Sequence, residues 1–206
     1  MSDGPAVSGE LPAGAVAALA AGLRARLAAP AGPALVAIDG WSGSGKTTLA
    51  AGLAAALGGV PVVHAEDLVT GWYGLARSVE RLAGDVLPAL AAGRPARWRS
   101  WDWAAGAYGP EQTQPPAPLL VVEGCGAGAA PVRPWLAALV WLEVAPEERA
   151  ARLRARRDWP TYEPWVQVWA RQERRLRAGD DPRPHADVTV AGGARLEWAA
   201  AGRPRR

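Results

Sequence analysis

The chain has 206 residues, half of them hydrophobic and 21% charged, with a formal net charge of +3 and a single cysteine. That length suits one α/β domain spanning residues 1–206, and neither an internal repeat nor a long low-complexity linker argues for a second. Lone Cys125 excludes an internal disulfide, and no apolar run reaches the roughly 20 residues of a membrane span, so a cytoplasmic protein with no membrane partner is expected.

In chain order, residues 1–33 read as a helical extension with a helix from Leu11 to Ala29. Asp3, Glu10, the lack of a basic start, and Arg24 and Arg26 inside that helix argue against a signal peptide. Leu35 to Asp39 reads as a short buried strand. It runs into Gly40-Trp41-Ser42-Gly43-Ser44-Gly45-Lys46-Thr47, a full match to the phosphate-cradling pattern G-x-x-x-x-G-K-[ST]. Leu49, Leu53 and Leu57 then recur on one helical face. Strand, Gly-rich loop and helix follow in the order a phosphate site requires, which a chance Gly-rich turn would not.

A second strand, Val60 to His64, ends just before Glu66-Asp67. A helix from Leu75 to Ala92, an Arg- and Trp-rich stretch from Arg94 to Trp103, and a Pro-rich loop from Pro110 to Pro118 come next. Leu119 to Val122 is the clearest buried strand and ends at Glu123-Gly124. A strand from Leu139 to Val144 precedes a helix starting near Pro146, with Glu147 and Glu148 in its first turn as helix polarity favours. A helix from Glu163 to Arg177 carries Trp165, Val168, Trp169 and Leu176 on one side, and Asp187 to Val190 forms a final strand. The alternation predicts an α/β fold of three layers, a parallel sheet flanked by helices.

Lys46 is the only lysine; every other basic residue is arginine. A lysine that defies the chain's own bias marks a chemical need. Gly40, Gly43 and Gly45 free the backbone so that successive N–H groups can wrap a phosphate. Lys46 reaches the outer phosphates of ATP, Thr47 places its hydroxyl on Mg²⁺, and the helix N-terminus adds partial positive charge. Residues 40–47 with Thr48 and Arg157 form the expected nucleotide-binding set.

Asp67 and Glu123 stand at strand ends, where ligands of open parallel sheets bind. Asp67 is read as the base toward an acceptor hydroxyl, a role adjacent Glu66 could share, and Glu123 as the Mg²⁺ ligand; a cap or turn role for Asp67 and a structural role for Glu123 are the alternatives. Arg149, Arg152 and Arg156 share one helical face, with Arg157 adjacent, so residues 149–160 read as a short arginine-rich lid in which Arg152 and Arg156 stabilise phosphoryl charge. A solvated basic face is the other reading, because Glu147, Glu148, Glu163 and Glu173 interleave with the cluster. That interleaving also argues against nucleic acid as a partner. The chain has 11 Trp and no Phe. Trp72, Trp101, Asp102 and Trp103, with Asp67, form the expected acceptor site, whereas Trp135, Trp141 and Trp169 are assigned to the core. His64 and Cys125 carry no partner pattern and are assigned structural roles.

The phosphate loop, Asp67, the Trp101–Trp103 triplet, Val122-Glu123-Gly124, the run from Arg152 to Asp158 and Ala186-Asp187-Val188 occur in this order over roughly Val36 to Val190. In this the chain resembles the uridine kinase-like branch of P-loop small-molecule kinases. The resemblance implies that Asp67 is the base, that Glu123 serves Mg²⁺ and that the Arg-Asp segment closes over ATP. After the triplet, however, Ala104-Ala105-Gly106-Ala107 stands where that family's nucleoside kinases carry acceptor-reading His and Arg groups. The expected function is ATP- and Mg²⁺-dependent phosphoryl transfer to a hydroxyl of a small metabolite, nucleosides included. The alternative is a nucleotide-binding switch or partner-stimulated ATPase. A guanine-specific switch is excluded, since its Asn-Lys-x-Asp motif needs a second lysine and an asparagine, and the chain has neither.

Overall fold

Two strands buried at every position fix the centre of the computed structural model, which describes residues 11–27, 32–191 and 194–200. These strands are β1 (Ala34–Gly40) and β6 (Ala138–Leu142). Such continuous apolar runs need helices on both faces of a parallel sheet. With β2 (Val62–His64), β5 (Leu119–Glu123), β7 (Val188–Ala191) and β8 (Arg195–Trp198) they form a six-stranded sheet in the order β2-β5-β1-β6-β7-β8. All pairings are parallel except the one between β7 and β8.

Side-chain alternation along β1 assigns the layers. Val36 and Ile38 face α1 (Ala13–Arg26) and α2 (Lys46–Ala56), where Leu19, Leu23, Leu49 and Leu53 are buried. Leu35 and Ala37 face the other layer, built on α3 (Leu75–Arg81), a π-helical turn (Leu82–Val86) and α4 (Leu87–Ala91). Chain connection from β6 to β7 runs through α5 (Pro146–Arg154), α6 (Trp159–Tyr162) and α7 (Val166–Gly179). The expected three-layer α/β architecture is present. No helix among the described residues is long and apolar enough to cross a membrane.

Four expectations change in detail. The first helix ends at Arg26; Ala29 lies outside the described residues, as do Asp3, Glu10 and the terminal arginines. The helix from Leu75 is interrupted by its π-turn, in which Leu87 N–H donates to the Leu82 carbonyl. Pro88 has no N–H to give, and the widened turn keeps its ring off the preceding carbonyls. The Pro-rich loop is largely a strand: β4 (Ala107–Gln114) pairs antiparallel with β3 (Ala96–Asp102) as a separate two-stranded sheet. Arg99 pairs with Glu111 and Trp101 with Tyr108, so Gly109 and Pro110 share a bulge where proline costs no ladder bond. Finally, β8 was not anticipated. Its Trp198 packs on α1 at Gly22, where an added Cβ would lie 2.2 Å from the indole ring.

Leu53 is fully buried between α2 and the sheet. Leu53→Ala is expected to lower the unfolding free energy by about 2–5 kcal/mol, read as a lower urea midpoint with an unchanged slope.

Candidate active site

The loop between β1 and α2 turns sharply at Gly43, whose φ is +78° and whose hypothetical Cβ would sit 2.5 Å from the Arg149 carbonyl oxygen. Neither a side chain nor ordinary backbone angles fit there. Lys46 folds back across the loop and donates from Nζ to the carbonyls of Gly40 and Trp41, both at 3.0 Å. Burial works to lower its pKa, but Cys125, Glu173, Asp39 and Glu123 around it outweigh that effect and hold the ammonium above its ordinary value. The first-turn N–H groups of α2 lie beside this ammonium and lack helical partners, which is the arrangement that receives phosphate.

A buried polar network props the loop from beneath. Asp39 Oδ1 accepts from Gly40 N–H at 2.6 Å, Gly126 N–H at 3.2 Å and Arg177 at 3.3 Å, and Oδ2 accepts from Gly128 N–H at 3.0 Å. Burial raises the Asp39 pKa against the opposing pull of Arg177, the Gly128 and Gly40 N–H groups and Lys46. On α7, Trp169, Glu173 and Arg177 recur every fourth residue on one face. Trp169 Nε1 donates to Ser42 Oγ at 2.8 Å, and Glu173 Oε1 accepts from Ser42 N–H at 2.8 Å and from the Cys125 thiol at 3.1 Å. Arg177 lies 4.1 Å from the Trp41 ring centroid and 5.3 Å from that of Trp141.

On the other side of Lys46, Thr47 donates from Oγ1 to Glu123 Oε1 at 3.0 Å. The pairing of β2 with β5 sets His64 opposite Glu123, and His64 Nδ1 lies 2.7 Å from the same oxygen. The hydroxyl and carboxylate are hard oxygen donors at the end of a phosphate loop, and no cluster of three or more His, Cys, Asp or Glu among the described residues offers a complete metal cage. This donor set fits Mg²⁺, which takes one or two protein oxygens and completes its shell with water and phosphate.

These residues open onto a cavity of about 840 Å³. Of the acidic pair after β2, Glu66 lines the cavity and Asp67 does not. Both sit on a 3₁₀ turn, Ala65–Leu68, which points adjacent residues in different directions. Asp67 instead lies near His64 and Glu123, with its pKa raised by burial. Glu66 meets solvent within the cavity, yet the surrounding protein desolvates it and raises its pKa; Arg156 and Lys46 oppose the shift, while Glu123 and Asp158 add to it.

The arginine row divides at the end of α5. Arg149 donates to the Ser42 carbonyl at 3.2 Å and Arg152 to the Ser44 carbonyl at 2.9 Å, so both guanidiniums clasp the phosphate loop. Arg152 Nε and Ser44 Oγ are buried without partners among the described residues. Arg156 lines the cavity past the helix end, held by both Asp158 oxygens at 2.8 and 2.7 Å. Arg157 is exposed and off the cavity wall, because the chain has left the helix that would have aligned it.

Trp72 and Trp103 both line the cavity, with ring centroids 4.7 Å apart; Trp165 stacks behind Trp72 at 5.2 Å. Besides Asp67, two other members of the expected acceptor site, Trp101 and Asp102, are off the cavity wall. Asp102 Oδ1 accepts the N–H groups of Ala104 and Ala105, both at 2.9 Å, and so serves as the cap of the β3–β4 turn. Trp101 meets Tyr108 edge-on across that hairpin. Trp141 and Trp169 are core residues as expected, Trp169 also reaching the cavity wall, but Trp135 is 37% exposed. Cys125 also reaches the wall as an inert thiol, its pKa pushed up to about 12 by burial. Sequence reasoning missed Tyr162, Trp169, Glu173 and Arg177; their i, i+4, i+8 repeat on α7 was the available signal for three of them.

A family model described as an AAA domain matches residues 36–165, from β1 to the start of α7 and well over half of the chain. The chain belongs to this AAA-domain family. Two solved structures share the fold of this AAA-domain protein. One is of a possible uridine kinase from Bacillus stearothermophilus, 22% identical, with a TM-score of 0.60 over 85% of this chain and 97% of that one. The other is of a candidate fructose transport system kinase from Silicibacter sp. TM1040, 24% identical, with a TM-score of 0.57 over 89% of this chain and 96% of that one. Among curated proteins none matches it in sequence. The AAA-domain chain thus carries its phosphate loop on the same fold as these two structures.

The hydrogen bond to Glu123 raises the His64 pKa above its ordinary 6.5, against the effect of burial. Protonated His64 therefore stabilises the ligand-free fold fully below that ordinary value, and the contribution is lost as pH rises through the raised one. The urea midpoint is expected to decline across this window, and His64→Gln to flatten the decline; equal slopes in the two proteins would remove His64 as its source.

Proposed function

We propose that this protein transfers the γ-phosphoryl group of ATP to a hydroxyl of a small molecule, with Mg²⁺ as cofactor. The observation that carries the reading is one cavity wall bearing Lys46, the Thr47–Glu123 oxygen pair and the desolvated Glu66 carboxylate. Phosphoryl transfer asks a protein for positioning, charge neutralisation and a base near the acceptor, and those three sets supply them. Both neighbouring folds carry kinase names, which agrees with the reading.

In this reading the N–H groups of Gly43 and of Gly45 to Thr48, with the Lys46 ammonium, hold the phosphates. Arg152, already latched to the loop, turns its unpartnered Nε to the same charge, and Arg156 guards the cavity from the lid. Bound Mg²⁺ would neutralise phosphate charge from Thr47 and Glu123. Glu66 takes the role first expected of Asp67: it receives the acceptor's proton as the hydroxyl oxygen attacks. Trp72 and Trp103 orient the acceptor and exclude water, which limits futile hydrolysis.

The test is ADP release with ATP and Mg²⁺ across a panel of nucleosides, sugars and amino alcohols. Acceptor-dependent turnover is expected, absent in Lys46→Ala. Glu66→Gln is expected to lower kcat by about 10²–10⁴-fold with nucleotide binding retained, and Asp67→Asn to act far less. Since Glu66 must be ionised and its pKa is raised, the acid limb of kcat/KM should lie above the ordinary glutamate value of 4.5. Slow ATP turnover indifferent to every acceptor would overturn the reading.

A further inference from the structure

The acceptor end of the cavity is rich in aromatic surface and poor in uncommitted polar groups. Its walls include Trp72, Trp103 and Tyr162, together with apolar Val69 and Leu75. Most polar side chains nearby are already engaged, the Thr48 and Thr161 hydroxyls on the wall apart. Asp102 caps its turn, and Gln172 donates to the Trp72 carbonyl at 2.7 Å while accepting from Leu75 N–H at 3.3 Å. The Tyr162 hydroxyl bonds the Ser42 side chain. Arg156 is taken by Asp158, with its guanidinium 5.8 Å from the Tyr162 ring centroid. Glu123 is held by Thr47 and His64. Glu66 is left as the one charged wall residue whose side chain makes no hydrogen bond among the described residues.

From this inventory we infer that the acceptor is an amino alcohol, a molecule carrying both the reacting hydroxyl and a protonated amine or quaternary ammonium. The inference rests on the kinase reading above and specifies its acceptor. A sugar brings several hydroxyls, and too few free partners exist to satisfy them once they leave water. A carboxylate or phosphate acceptor would meet Glu66 with no free cation beside it, since Lys46 and Arg152 belong to the nucleotide. An ammonium group matches both features, because indole faces attract cations and are most effective in desolvated sites. The magnesium nucleotide adds net negative charge next door, which strengthens the preference. In the transfer, the hydroxyl oxygen forms a bond to the γ-phosphorus as the bond to the β–γ bridging oxygen breaks. ADP leaves, the hydroxyl proton passes to Glu66, and the ammonium is unchanged.

Two measurements on the full chain test this. In the first, the protein with Mg²⁺ and a non-hydrolysable ATP analogue is titrated calorimetrically with trimethylphenylammonium. Saturable binding is expected, weakened about tenfold in Trp72→Ala and Trp103→Ala, less in Trp72→Phe and Trp103→Phe, and unchanged in Trp135→Phe. The phenylalanine variants keep a ring and guard against misfolding of the alanine ones. In the second, turnover is compared for choline, its neutral isostere 3,3-dimethylbutan-1-ol and the acid 3-hydroxypropionate, with choline expected to lead by about tenfold or more. Failure to bind the ammonium, or preference for the neutral or acidic alcohol, overturns the amino-alcohol inference and leaves the kinase reading standing. Acceptor-blind ATP turnover overturns the kinase reading instead, and the titration then still decides what the aromatic pocket binds.

Discussion

Beneath the phosphate loop lies a carboxylate almost fully removed from water, and the site is organised around keeping it satisfied. Asp39 is 1% exposed. A charge in that position is tolerable only with well-placed donors, and it has three backbone N–H groups and one guanidinium. Those donors come from the end of β1, the turn after β5 and α7, so a single side chain pins three separate pieces of backbone. Removing Arg177 would strand the charge at a cost of about 3–5 kcal/mol, whereas a well-packed apolar replacement of both partners need cost little. The network therefore contributes more to geometry than to stability.

From that anchor, α7 reaches both halves of the cavity. Trp169 and Glu173 grip Ser42 in the phosphate loop, while Gln172 grips the backbone that presents Trp72. These three contacts fall within one helical turn, so any tilt of α7 is felt at the phosphate loop and at the aromatic end of the cavity together. Arg149 and Arg152 add a second attachment, from α5 to loop carbonyls. The geometry of the cavity thus rests on regular helices, which hold side chains more rigidly than loops do.

The sequence made the central strands and the phosphate loop legible because buried parallel strands and Gly-rich turns each leave a local signature. Leu35 to Ile38 had nowhere to go but the middle of a sheet. The placement of Lys46, Thr47 and Glu123 was readable for the same reason, since it follows from where a strand ends. The acidic pair was harder: whether Glu66 or Asp67 turns inward depends on a short 3₁₀ turn, and adjacent residues there differ by an angle that composition does not encode. Of the Trp101–Trp103 triplet, Trp103 lines the cavity and the other two do not, for a related reason. Asp102 found its partners in its own hairpin, and a local bond of that kind outcompetes a distant ligand. Pro110 concealed a strand because a bulge absorbed it. Arg177 was invisible because its partner Asp39 lies 138 residues away in sequence.

The far edge of the sheet has a further effect on the life of the molecule. A half-hydrophobic chain whose core is a parallel sheet assembles through long-range pairings, and during that time its unpaired strand edge is a template for other chains. Strand β8 covers this edge with only four residues, turning Leu196 and Trp198 inward and leaving Arg195 and Glu197 exposed. The opposite edge, β2, is shorter still, at three residues. Neither flank offers a long flat ladder to a neighbour, so the sheet terminates itself and the protein is shielded from open-ended strand-by-strand growth.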